Sequence, residues 1–92
     1  MKIKNDFVLE QIAGTWVVLP RGDRLNDFTG MLTLNESGRL LWARLTAGCT
    51  RADLIQLLID EYKISYDVAE TDVNEYLATL AQAGCLDDVP LE

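Results

Sequence analysis

The chain has 92 residues, 49% hydrophobic and 25% charged, with a net charge of −7. This length makes one domain, residues 1–92, with a single modest core that needs no metal or disulfide. No apolar run is long enough for a membrane span, histidine is absent, and Cys49 and Cys85 stand too far apart for a CxxC pair.

The N-terminus, MKIKNDFVLEQ, has two lysines, but Asp6 and Glu10 interrupt any apolar stretch. It does not read as a signal peptide, and the cysteines read as reduced, buried or half-buried thiols, so the expected location is cytoplasmic. Phe7 to Ile12 and Thr15 to Leu19 are β-branched and aromatic runs on either side of Ala13-Gly14, the pattern of a hairpin. Pro20-Arg21-Gly22-Asp23 ends the second strand, and Arg21 to Thr29 reads as a polar loop or a ragged strand. A short strand, Met31 to Leu34, follows Gly30; Leu32 and Leu34 share one face, Met31 and Thr33 the other.

Asn35 is the expected N-cap of a first helix with the stripe Leu41, Trp42 and Leu45, stopped at Gly48. Thr50 caps a second helix, with Asp53 completing a capping box and an apolar face of Leu54, Leu57, Leu58 and Tyr62. Asp67 and Glu70 repeat that pattern for a third helix, with Val73, Tyr76, Leu77 and Leu80 as its stripe and Gly84 as its end. Strands followed by helices predict an α+β domain: a three-stranded antiparallel sheet, then three helices packed on one face. An edge strand offers unpaired backbone groups, and Met31–Leu34 carries no charge or proline to block pairing. Either a helix or loop covers that edge, or a peptide strand adds to it.

Charge is distributed unevenly. Residues 1–63 hold eight basic and eight acidic side chains, whereas residues 64–92 hold seven acids (Asp67, Glu70, Asp72, Glu75, Asp87, Asp88, Glu92) and no base. A guest or partner with Lys or Arg opposite Asp72 and Glu75 would complement this third of the chain.

Leu34-Asn35, the Trp42 helix, Gly48-Cys49-Thr50, Leu57-x4-Tyr62, Asp72-Val73-x-x-Tyr76-Leu77-x-x-Leu80 and Gly84-Cys85-Leu86 occur in one order and spacing. In this the chain resembles the PqqD-like family, small proteins carrying the peptide-recognition domain called the RiPP recognition element. The resemblance covers about residues 7–87; Cys85 departs from it, standing where an aliphatic residue is frequent, and the 21–29 segment is hard to align. It implies a winged helix-turn-helix-like fold with no catalysis and no cofactor of its own. It implies as partners the leader segment of a ribosomally made precursor peptide and a modifying enzyme, often a radical S-adenosylmethionine protein. The leader would add to strand Met31, Leu32, Thr33 and Leu34, in a groove completed by the third helix, from about Val68 to Ala83. On that helix the implied peptide-binding positions are Asp72, Val73, Tyr76, Thr79 and Leu80. Core packing is the competing reading for Leu32, Leu34, Val73, Leu77 and Leu80; Tyr76 and Thr79 are the expected groove-lining side chains, with an ordinary half-buried core residue as the competing reading for Tyr76.

Three rival functions arise from the same residues. A DNA-binding winged helix would use the third helix for recognition, but Glu70, Asp72 and Glu75 lie there without a base, and phosphate contacts need Lys or Arg. An enzyme would need a nameable constellation, and neither a histidine, a metal-type spacing nor a glycine-rich phosphate loop is present, so no catalytic or metal site is assigned. A general protein–protein adaptor would use the same surfaces with a different partner.

Overall fold

The computed structural model describes residues 1–4, 7–21 and 32–87. Along the chain these residues form β1 (Lys2–Ile3), β2 (Phe7–Ile12), β3 (Thr15–Pro20), β4 (Leu32–Leu34), α1 (Glu36–Ala47), α2 (Arg51–Tyr62), α3 (Tyr66–Gln82) and β5 (Leu86–Asp87). Strands β2, β3 and β4 make an antiparallel sheet in that spatial order, followed by the three helices. Met31 and most of the 21–29 stretch lie outside the described residues.

The β2–β3 hairpin pairs Phe7 with Pro20 through to Ile12 with Thr15. Its turn residues, Ala13 and Gly14, have φ of 51° and 83°, both positive, as a tight type I′ connection demands. Strand β3 runs one residue beyond the expected end, because Pro20 sits at its terminus, where proline is tolerated. In β4, Leu32 pairs with Val18, Thr33 with Val17 and Leu34 with Trp16. Leu32 and Leu34 pack against the core, while Thr33 is exposed.

Each helix begins at a polar cap. The Gly38 N–H donates to Asn35 Oδ1 at 2.8 Å, satisfying one of the free amides that open α1. Thr50 and Asp53 form a reciprocal capping box: the Asp53 N–H donates to Thr50 Oγ1 at 3.1 Å and the Thr50 N–H to Asp53 Oδ2 at 3.0 Å. That backbone donor holds the Asp53 carboxyl below its usual range. The third helix begins earlier than expected. Ser65, not Asp67, is its N-cap, accepting from the Val68 N–H, and Asp67 falls in the first turn, where its charge suits the helix dipole.

The buried faces are Gly38, Leu41, Trp42 and Leu45 on α1, Leu54, Ile55 and Leu58 on α2, and Ala69, Val73 and Leu80 on α3. With Phe7 and Val18 from the sheet they form one core. The α2 face is thus rotated from the expected stripe: Ile55 is buried, whereas Tyr62, at the helix end, is 43% exposed.

A second sheet, which hydrophobic patterning did not suggest, joins the two ends of the described chain. β1 pairs with β5, Lys2 with Asp87 and Ile3 with Leu86. The Lys4 N–H donates to the Cys85 carbonyl and the Cys49 N–H to the Met1 carbonyl, each at 2.9 Å. Both cysteines are free and buried, and burial pushes the Cys49 thiol up.

Candidate functional site

β4 is an edge strand. One side pairs with β3, and the other has no strand partner among the described residues. Immediately after it the chain turns through Asn35 into α1, and α3, which packs on α2, faces the first turn of α1. The Tyr76 hydroxyl joins α3 to α1 by donating to the Gly38 carbonyl at 2.8 Å, across 38 positions of sequence. Burial drives this phenol far above its ordinary pKa, so it keeps its proton and remains a donor. Gly38 allows the approach: a Cβ there would lie 3.2 Å from Leu34 Cβ and 3.4 Å from Tyr76 Cε1.

Between the first turn of α1 and the middle of α3 lies an open cleft of ≈ 280 Å³. Leu41 and Leu58 are its buried apolar residues; Asn35, Ser37 and Gly38 come from the start of α1, and Asp72, Glu75, Tyr76 and Thr79 from α3. It continues into a second hollow reached by Ile64 and the exposed ring of Tyr62, with Ser37, Leu58 and Asp72 common to both. A larger hollow of ≈ 510 Å³ lies by the opposite edge strand, β2, among residues that include Lys4, Phe7, Arg21 and Trp42. It does not touch β4.

The expected peptide-binding residues separate into three groups. Asp72, Tyr76 and Thr79 line the cleft. Leu32, Thr33 and Leu34 form the edge strand beside it, with Leu32 and Leu34 turned towards the core and Thr33 exposed. Val73 and Leu80 are fully buried, so their side chains support α3 from behind and are not available to a guest. Met31 lies outside the described residues. Sequence reasoning missed Asn35, Ser37 and Gly38. The available signal was a glycine inside a helix, where it costs about 1 kcal/mol relative to alanine and therefore points to a close approach.

The second and third helices are also tied at the surface. Arg51 donates to Glu70 Oε2 at 3.0 Å and to Asn74 Oδ1 at 2.8 Å. Among the described residues no group of three acidic, cysteine or histidine side chains could hold a metal ion, and no helix is long and apolar enough to cross a membrane.

The family model for coenzyme PQQ synthesis protein D (PqqD) matches residues 15–86. Two solved structures share the fold. One is TbiB1 in complex with the TbiA(beta) leader peptide, with a TM-score of 0.78, 24% identity, and coverage of 98% of this chain and 99% of that one. The other is lasso peptide synthetase B1 complexed with the leader peptide, with a TM-score of 0.72, 24% identity, and coverage of 91% and 93%. No curated protein matches.

Proposed function

The chain belongs to the PqqD family, and from that premise we propose that it is a non-catalytic peptide-binding protein acting in the cytoplasm. It takes the leader of a ribosomally made precursor peptide as an added strand on the open edge of β4. It then presents the precursor to a modifying enzyme, of which a radical S-adenosylmethionine protein is the favoured kind. The observation that carries this reading is the juxtaposition of an unpaired strand edge with a helix-walled cleft. Backbone pairing supplies affinity that depends little on the guest's sequence, and the cleft supplies selectivity for side chains on alternate positions. The two structural neighbours described as leader-peptide complexes support the same occupant.

In this reading Leu32, Thr33 and Leu34 offer backbone groups, and Asp72, Tyr76 and Thr79 meet guest side chains. Met31 would extend the strand. Val73 and Leu80 hold α3 in place. A short strand and a shallow cleft put the interface at the small end of the usual range, with micromolar to submicromolar affinity.

An amide-resolved NMR titration with the N-terminal half of a precursor peptide encoded beside this chain tests the proposal. Shifts concentrated at Leu32–Leu34 and from Tyr76 to Thr79 are expected. If no neighbouring peptide produces them, strand addition is wrong and a folded protein partner becomes the better reading.

A further inference from the structure

The cleft between α1 and α3 is rich in hydrogen-bond acceptors and poor in donors. Three hydroxyls line it, and each already donates its proton within the protein. Ser37 donates to Asn35 Oδ1 at 3.0 Å, Tyr76 to the Gly38 carbonyl at 2.8 Å, and Thr79 to the Glu75 carbonyl at 3.0 Å. A hydroxyl so engaged still has lone pairs for a guest's donor. Asp72 and Glu75 add two exposed carboxylates on neighbouring positions of the same helix face.

Three other helix carboxylates have cationic partners: Glu36 pairs with Arg39, Asp53 with Arg44, and Glu70 with Arg51. The Asp72 and Glu75 carboxylates have none among the described residues, and no Lys or Arg lines the cleft. Its remaining side-chain donor is the Asn35 amide. The first turn of α1 contributes a positive dipole end of roughly half a charge, and Asn35 Oδ1 already caps it. Two full negative charges outweigh that.

Resting on the leader-binding reading, we propose that the peptide guest places an arginine side chain in this cleft, its guanidinium set between Asp72 and Glu75. Arginine fits better than lysine. Its planar fork of N–H groups can serve carboxylates and hydroxyl lone pairs together, whereas an ammonium is a strongly hydrated point charge. Leu41 and Leu58 give its methylene stem an apolar floor. The backbone of β4 thus sets that a strand binds, and the α3 carboxylates select which strand.

The test starts from a displayed library of random peptides selected on the intact chain. Enriched sequences are expected to share an arginine at a fixed position. A selected peptide is then made with arginine or with its neutral isostere citrulline. For the unaltered protein the exchange should weaken binding about tenfold, the scale of a hydrogen-bonded charge contact. For the Asp72→Asn/Glu75→Gln double variant the same exchange should change affinity by less than about threefold. Both side chains are exposed, so the variant should keep the helical circular dichroism of the parent. Binders that shift the Thr33 amide but treat arginine and citrulline alike overturn the arginine site and leave strand addition standing. Failure to obtain any binder that shifts the Leu32–Leu34 amides overturns both.

Discussion

A single hydroxyl ties α3 to the first turn of α1, next to the strand edge. Tyr76 reaches Gly38 across 38 positions, and Gly38 in turn lies against Leu34. Tyr76→Phe removes the donor, leaves the ring in place and should cost about 1 kcal/mol, the usual net value of a neutral hydrogen bond. Urea denaturation checks this, and an unchanged midpoint would mean that the hydroxyl contributes nothing. Ala13 is a different case, since at φ 51° it occupies a left-handed conformation that its Cβ disfavours. That strain is roughly 1–2 kcal/mol for an ordinary L-residue. Ala13→Asn keeps the turn with a residue suited to it and should raise stability by about 0.5–1 kcal/mol in the same assay. A fall in stability would place the turn's conformation elsewhere. The sequence announced the turn through Ala13-Gly14 but not the Tyr76 bond. A turn is written in adjacent residues, whereas that bond depends on where two helices come to rest.

Among the elements, those with local signals were legible. The Thr50–Asp53 box and the Asn35 cap start α2 and α1 where the sequence places them. Asp67 and Glu70 imitate the same box, yet Ser65 holds the cap, because a D-x-x-E spacing inside a helix looks the same as one at its start. The β1–β5 ribbon left no trace in the pattern, since each strand has only two residues and neither forms without the other. For the cleft, the α3 side was legible from Asp72, Tyr76 and Thr79, while the α1 side depends on the fold bringing Ser37 and Gly38 opposite. β4 itself can be tested directly. Neighbouring N–H groups along a strand point to opposite sides, so Leu32→Pro and Thr33→Pro remove donors on different edges. One of the pair should weaken the sheet. The other should retain the parent's circular dichroism and lose peptide binding tenfold or more, as about 1.4 kcal/mol per decade converts a lost donor. If both variants fold and bind normally, nothing adds to this strand.

The whole molecule carries its charge asymmetrically. Residues 1–63 are neutral in sum, and residues 64–92 contribute the entire −7. α3, which walls the cleft, lies in that acidic third with Asp67, Glu70, Asp72 and Glu75 and no base. Among the described residues only Glu70 of these four has a cationic partner, Arg51. The field in front of the cleft is therefore negative, and it extends about a Debye length, roughly 8 Å at physiological ionic strength. A field of that range acts on the encounter more than on the formed complex, whose backbone pairing is short-ranged and neutral. For a basic guest, raising salt from low to high should slow association several-fold, while dissociation changes little. Stopped-flow association of a selected arginine-containing peptide at increasing sodium chloride measures both rates. The Asp72→Asn/Glu75→Gln variant should flatten the dependence, because it removes the two charges nearest the entry. If the on-rate is insensitive to salt in the unaltered protein, the acidic helix serves solubility rather than recognition, and the selectivity of this edge must come from shape alone.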